Sequence, residues 1–487
     1  MRLSPQPAGL ARTLAQGRYF LSLLEDPTWV LRRVDTVNFV DSHRIERRTS
    51  LDLDLARVRD LAAKSGLGRR LRTVYVPLGL LKKNLMLDFD VRSSSGEPLV
   101  LATSDQDSRA SQAVLVARAA RHVDPRALTG DVREQLFRIA REMPHSDDQR
   151  ALSGDAQGDL TILGWKFGST SLPAQQTWSR LFSITEFREL VVAFTLRFMP
   201  IIGLEDGRDR CIVKFRTVES EGFPPASGVF SLAGVFALSE RLYFVEAPTT
   251  GIGGVGSSVD CRPRQHLRIE APAGTFMTDA TMIRFVGGDA PDSLRPAKSA
   301  DVVHKRVTME RGAFYSFPQP GERYSVLLLL MPRLEGFALP AIVGATLSGV
   351  LLLSGTIAEF SLGTLDRILG TDGGGAGNTE AAVALLLIVP SIFLAYLARP
   401  GEHEVRAEQL KWLRYAVGLS SAAVAPAAVA AIAFTSSSAI AWVWGVCGGV
   451  ALAIAALLSS VVIRNRIFRK RVLSESHETS PSVVLEL

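Results

Sequence analysis

Four segments in the last third of the chain lack charged side chains over lengths that can cross a bilayer. About 20 apolar residues are needed to span roughly 30 Å of hydrocarbon. Backbone groups cannot stay unpaired in lipid, so each segment is expected to be a helix, with a re-entrant path as the alternative for the short second segment. The segments are Gly336 to Ala358, Ala381 to Ala398, Tyr415 to Thr435 and Ala439 to Ile463.

Basic residues alternate between the flanks of these segments. They precede the first segment, recur between the second and third, and follow the fourth, whereas the loop between the first two holds only Arg367 beside four acidic residues. Cytoplasmic loops carry the excess of Lys and Arg, so this alternation predicts a multi-pass inner-membrane protein with both termini in the cytoplasm. A basic cluster after the fourth segment is predicted to contact the surface of the lipid bilayer, at about 1 kcal/mol per cation. It comprises Arg464, Arg466, Arg469, Lys470 and Arg471.

The four segments contain no ionisable residue. Ion pathways and proton relays need such groups inside the bundle, so an anchor is favoured over a transporter. Ala441, Gly445 and Gly449 are spaced as small residues at helix contacts are. They predict close packing on another helix of the chain or on another copy in a homo-oligomer.

The formal net charge of +6 and the isoelectric point near 9.3 are compatible with nucleic-acid binding. We attribute them to the basic cytoplasmic flanks and predict no nucleic-acid partner. Three cysteines without a CxxC pair argue against a disulfide framework and a structural zinc site. The N-terminus has no apolar core of signal-peptide length, so the first 330 residues are expected to stay in the cytoplasm.

The cytoplasmic region is predicted to have an α+β fold. Residues 1–145 read as mixed helices and hairpins, 146–332 as a β-rich domain with an antiparallel sheet or sandwich, and 464–487 as a basic and then disordered tail. Helical periodicity occurs near Leu10 to Leu24, Leu53 to Ala63, Ser108 to Arg121 and Val132 to Arg141. A hairpin is predicted from Leu190 to Ile202, returning through Ile212 to Val218.

Two motifs resemble catalytic or phosphate-binding patterns. Asp88 and Asp90 form a DxD pair, but they lie on the polar face of an alternating strand, where a solvated face is expected. Gly251, Gly253 and Gly256 match GxGxxG, yet a proline and no helical period follow, so a loop is predicted.

His266, His304 and Cys261 are candidate metal ligands on or near predicted strands. A site would need a fourth ligand and close approach, so we interpret them as ordinary sheet residues. The sequence therefore predicts no catalytic residue, no cofactor and no metal, and the chain is not expected to be an enzyme.

A cytoplasmic region on a four-helix base indicates a device that binds a cytosolic protein or assembly through residues 1–332 and brings it to the membrane. The layout resembles actinobacterial membrane proteins thought to be adaptors for cytoplasmic contractile injection systems. The resemblance covers architecture and compositional style, and it implies an adaptor without assigning any functional residue. A transporter or channel subunit and a membrane-bound signalling enzyme are the alternatives.

Overall fold

The computed structural model describes most of the region before residue 333 and much of the apolar C-terminal part. The described residues are 9–41, 44–67, 73–83, 87–142, 161–162, 165–166, 172–205, 209–220, 241–247, 264–285, 294–296, 302–308, 310–316, 323–334, 336–369, 402–433 and 436–478.

The described helices fall into two groups. The first group lies before the apolar part: α1 (Leu10–Glu25), α2 (Leu55–Lys64), α3 (Ser104–Ala119), α4 (Gly130–Arg141), α5 (Leu172–Phe182) and α6 (Thr185–Leu196). The second group follows the last strand: α7 (Ala338–Leu369), α8 (Glu404–Gln409), α9 (Lys411–Ala422), α10 (Val424–Ala433) and α11 (Ser437–Glu478). The predicted order, a region of helices and sheets followed by apolar helices, is confirmed.

Strands are distributed over the whole region before residue 333. They are β1 (Val30–Phe39), β2 (Arg44–Asp54), β3 (Thr73–Pro77), β4 (Leu81–Lys82), β5 (Leu87–Ser93), β6 (Val100–Leu101), β7 (Thr161–Ile162), β8 (Trp165–Lys166), β9 (Arg197–Phe198), β10 (Ile201–Glu205), β11 (Arg210–Ser220), β12 (Arg241–Ala247), β13 (Arg264–Glu270), β14 (Thr275–Phe285), β15 (Leu294–Pro296), β16 (Val302–Val307), β17 (Arg311–Ser316) and β18 (Arg323–Pro332).

A seven-stranded sheet with the order β16-β17-β13-β1-β2-β11-β5 organises the region before residue 333. Its centre is the β1–β2 hairpin, and β13 pairs with β1 in parallel whereas the other pairings are antiparallel. Side chains alternate across a strand, so each strand contributes to both faces. We call the face that carries Val37, Leu51 and Phe314 the inner face, because these residues are buried in the two cores.

Two different layers cover the inner face. Helices α1 to α6 and the small sheet β3-β10-β6 pack on one half and form the larger core, with Trp178, Tyr19 and Phe20 fully buried. The sheet β12-β18-β14-β15 packs on the other half and forms a sandwich core with Ile269 and Leu328. The seven-stranded sheet therefore joins a helical layer to a sandwich.

A buried cluster of three polar side chains lies on the inner face, between the parts of β1 and β2 that enter the two cores. Arg33 donates from Nε and Nη2 to the two carboxylate oxygens of Asp35, at 2.8 and 3.1 Å, and Thr49 donates to Asp35 at 2.6 Å. All three are at most 3 % exposed. A buried ion pair is tolerated when its hydrogen bonds are made, as they are here.

The apolar helices pack closely in an antiparallel pair. Gly349 of α7 and Gly448 of α11 face each other: a Cβ added to either would lie 3.2 Å from the other's carbonyl oxygen. Three described spans are long and apolar enough to cross a membrane: Ala338–Ser361, Lys411–Ala430 and Ser438–Ile467. The second predicted segment, Ala381 to Ala398, lies outside the described residues.

The predicted hairpin from Leu190 to Val218 is wrong. Residues up to Leu196 belong to α6, and β10 pairs with β3 and β6 while β11 pairs with β2 and β5. Short apolar runs do not distinguish helix from strand by pattern alone. Here the buried residues Phe187, Leu190, Val191 and Phe194 follow the helical period.

Three further expectations differ from the structure. Strands from both sides of the predicted boundary at residue 145 share the seven-stranded sheet, so that position does not separate two structural units. The sheet is mixed rather than purely antiparallel, because β13 returns beside β1 in parallel. Helix α11 continues to Glu478, where a disordered tail was predicted. Residues 464–478 contain neither glycine nor proline, so nothing in the sequence ends the helix there.

Candidate functional site

Three buried or half-buried donors hold the end of β18 at the point where it meets the apolar helices. Gln409 Nε2 donates to the Leu330 carbonyl oxygen at 3.1 Å, and Asn465 Nδ2 donates to that of Pro332 at 3.2 Å. Arg406 Nη2 donates to the Arg333 oxygen at 2.9 Å. We call these three donors and their acceptors the junction. Buried carbonyls are costly when unpaired, so these donors stabilise the attachment of the sandwich to the helices.

Helix α8 is the part of the junction that enters the sandwich. Val405 is fully buried in the sandwich core. His403 caps the helix, because its Nδ1 accepts from the Val405 N–H at 3.3 Å, and its Nε2 lies 3.0 Å from the Phe39 carbonyl oxygen. An acceptor role for Nδ1 leaves the proton on Nε2, which then donates to Phe39. The short helix thus bonds to the ends of β1 and β18 at once.

Gly274 gives the Arg406 side chain room beside the sandwich. Its φ is +79°, a left-handed conformation that favours glycine, and an added Cβ would collide with the Arg406 side chain. Glu402 forms an ion pair with Arg406, with 3.0 Å between Oε1 and Nε, and also pairs with Arg414 at the start of α9. Arg406 is therefore fixed by Glu402 and by the Arg333 carbonyl.

Sequence reasoning used Arg406 and Arg414 only as topological charges and missed His403, Gln409 and Asn465. The partners of His403, Gln409 and Asn465 are between 79 and 364 residues away in the chain. The available signal was modest: polar residues able to donate hydrogen bonds lie next to apolar helices, where an unpaired donor is costly.

The outer face of the seven-stranded sheet is the second candidate. Register places side chains in rows across six strands, and one row runs Arg268, Thr36, Arg48, Arg216, Asp90. The next row runs Tyr315, His266, Val34, Ser50, Lys214, Arg92. Eight described basic side chains on this face are exposed: Arg32, Arg48, Arg92, Arg210, Lys214, Arg216, Arg268 and Arg311.

Two largely covered carboxylates lie among these cations. Glu46 accepts from Arg216 at 2.7 Å and also from Arg48. Asp52 accepts from Arg210 at 2.7 Å. The Glu46 and Asp52 side chains are 10 % and 12 % exposed, so the guanidinium groups lie above them. The carboxylates orient the arginines and leave an excess of positive charge at the surface.

His266 is buried beneath Tyr315 at one end of this face. The two rings stack with their centroids 3.9 Å apart, and Arg268 Nε lies 3.3 Å from His266 Nε2. Burial, and then the charges of Arg268 and Arg32, lower the pKa of His266 to about 4. The imidazole is therefore neutral at physiological pH.

The other candidate ligands and motifs are only partly within the described residues. Asp90 lies on the outer face and pairs with Arg92 at 2.7 Å. The side chains of Asp88 and His304 are outside the described set, as are Cys261 and the glycines Gly251, Gly253 and Gly256. Within the described residues, no group of three or more His, Cys, Asp and Glu side chains is placed to hold a metal ion.

Of the three predicted helix-packing residues, Ala441 and Gly445 are packed and Gly449 is open. Ala441 is buried, and a Cβ on Gly445 would lie 3.5 Å from Thr356 of α7. Gly449 has open space around it, whereas its neighbour Gly448 makes the close approach to α7. Of the predicted basic cluster, Arg464, Arg466 and Lys470 are exposed, and the side chains of Arg469 and Arg471 are not described.

No protein-family model, curated protein or solved structure matches this chain.

Proposed function

We propose that the chain is a membrane-anchored adaptor whose cytoplasmic region binds a cytosolic protein or assembly at the inner face of the membrane. The observation that carries this proposal is the junction. Hydrogen bonds from Arg406, Gln409 and Asn465 attach the sandwich to the apolar helices at several points. An adaptor that recruits a partner to a membrane needs its binding domain to be held firmly on the membrane-spanning helices.

The positions of the helix ends support a four-span topology. Helix α7 begins directly after the junction, α9 begins directly after α8, and α11 approaches the junction at Asn465. Helix α7 runs away from the sandwich, whereas α9 begins beside it. The chain between the end of α7 and the start of α8 therefore has to return to the sandwich side. We propose that the predicted segment Ala381 to Ala398, which lies outside the described residues, makes that return.

Charge supports the orientation. Arg406, Lys411, Arg414 and Arg464 lie on the helix ends nearest the sandwich. Basic residues are in excess on the cytoplasmic side of membrane proteins, so this charge distribution supports a cytoplasmic sandwich and cytoplasmic termini. Reporter fusions after Leu487 and near Asp372 test this, because only the second should read as external. Matching signals at the two sites contradict four spans.

The packing of α7 on α11 supports an anchor over a pore. Gly355 lies against the Trp444 indole, and Trp444 Nε1 donates to the Ala427 carbonyl oxygen at 2.7 Å. Such close contacts fill the space between the helices with apolar groups.

Membrane recruitment is tested by comparing the membrane proteins of host cells with and without the chain. A cytosolic protein or assembly should leave the membrane fraction when the chain is deleted and return when it is restored. A contractile injection system is the assembly that the resemblance suggests. Identical membrane fractions in the two strains argue against an adaptor, and ion or solute flux through purified protein would favour a transporter.

A further inference from the structure

We propose that the outer face of the seven-stranded sheet is the docking surface of this adaptor, and that it takes an acidic protein surface. The inference rests on the proposed function and adds the site and the chemistry of the partner.

The outer face carries an excess of positive charge. Among the described side chains of this face, eight basic ones are exposed, whereas the acidic ones with accessible ends on its rows are Asp90 and Glu270, at 45 % and 40 %. Glu46 and Asp52 lie beneath arginines. A surface with this excess attracts carboxylates and raises the rate of association with them.

Carboxylates on the outer face hold several of its arginine side chains in place. Arg216 and Arg48 share Glu46, and Arg210 is held by Asp52 through both Nε and Nη2. Guanidinium groups held in this way lose less entropy when they bind, and arginine is enriched at protein interfaces. Six strands at about 4.8 Å spacing make the face roughly 24 Å wide, a width suited to a protein interface.

The side chains that lie between the cations favour a protein partner over a nucleic acid. Neutral and apolar side chains complete the rows, among them Thr36, Val34 and Ile212, of which Ile212 is 38 % exposed. This mixture favours a protein with acidic and apolar groups.

The test uses the full chain in nanodiscs of zwitterionic lipid. The outer-face variant combines Arg32→Ser, Lys214→Ser and Arg268→Ser, and the control combines Arg18→Ser, Arg126→Ser and Arg180→Ser, three exposed arginines of the helical layer. Both variants lose three positive charges. The probes are fluorescent polyglutamate and a DNA duplex of equal charge.

Polyglutamate should bind about tenfold more weakly to the outer-face variant, because three surface charge contacts are lost. The control should change its binding less than twofold. Equal losses in the two variants, or tighter binding of DNA at the same face, overturn the inference. If the triple variant does not fold, Lys214→Glu replaces it at the centre of the face.

A photo-crosslinking residue at Thr36 in host cells identifies the partner, with one at Arg126 as the control position. A protein with an acidic surface, cross-linked from Thr36 and lost in the outer-face variant, supports the inference. Recruitment that persists in that variant overturns the docking surface and leaves the adaptor standing. Absence of recruitment by the wild-type chain overturns the adaptor itself.

Discussion

Asn465, near the end of the last apolar helix, donates its side-chain amide to the carbonyl oxygen of Pro332 at 3.2 Å, although 133 residues separate them. Pro332 ends β18, and Asn465 is 7 % exposed. This bond joins the helix that closes the apolar part to the strand that precedes it. The junction thus connects the first and last described spans through the sandwich.

Removing the junction donors should loosen the sandwich from the helices. Gln409→Met and Asn465→Leu each remove a buried hydrogen bond to a carbonyl of β18, at about 0.5–1.5 kcal/mol. We expect lower melting temperatures for both in nanodiscs and faster proteolysis after Arg333. Arg466→Gln, on an exposed neighbour in the same helix, should match the wild type. Unchanged melting of both junction variants would show that the apolar contacts alone hold the two parts together.

Gly17 should tolerate no side chain. Its Cα faces α3 so closely that an added Cβ would overlap the Ala113 carbonyl group. Alanine within a helix is worth up to about 1 kcal/mol over glycine, yet overpacking here should cost about 1–3 kcal/mol. Gly17→Ala should therefore lower the melting temperature, measured by tryptophan fluorescence. Gly130→Ala, in open space at the start of α4, is the control and should not lower it.

Gly448 and Gly449 form a matched pair that tests the packing of α11. A Cβ on Gly448 would lie 3.1 Å from Leu352 Cβ and Leu353 Cγ of α7, and Gly449 has no neighbour within 4 Å of such a Cβ. Gly448→Leu should destabilise the bundle in detergent, and Gly449→Leu should not. The oligomeric state of Gly449→Leu, measured by light scattering, also tests the predicted contact with another copy. A dimer that dissociates in this variant would place Gly449 at that interface.

Asp107 should make stability fall as pH rises from about 4 to 8. Burial raises the pKa of Asp107 to about 8. The hydrogen bond that its carboxylate accepts from the Ile201 N–H, at 3.1 Å, acts in the opposite direction and lowers the pKa. Between the ordinary pKa of 3.8 and the folded value, the folded chain keeps a proton that the unfolded chain releases. Asp107→Asn retains the acceptor and should flatten this slope in melting curves. If the variant and the wild type show the same slope, groups other than Asp107 cause the pH dependence.

His266 should give the opposite dependence at lower pH. Its pKa in the folded chain is about 4 and its ordinary value is 6.5, so the unfolded chain takes up the proton first. Stability from this residue is present above pH 6.5 and is lost as pH falls towards 4. His266→Phe keeps a ring against Tyr315 and removes the titration, so it should melt at a more constant temperature across that window. An unaltered pH profile in the variant would exclude His266 as the source.

The sequence by itself determined the features that depend on local composition and period. Spans without charge, such as Gly336 to Ala358, predict helices because lipid forces backbone groups to pair within the segment. The four helices predicted by periodicity before residue 145 correspond to α1, α2, α3 and α4 with ends shifted by a few residues. His266 was likewise predicted to lie on a strand, and it lies in β13.

Tertiary structure decided what depends on partners distant in the chain. The segment from Leu190 to Leu196 is apolar enough for a strand or a helix, and its burial against the helical layer selects the helix. Thr36, Arg48 and Arg216 share one row only because β1, β2 and β11 pair in a particular register. His403 meets Phe39 for the same reason: a hydrogen bond between residues 364 positions apart leaves no period in the sequence, since only folding brings its two groups together.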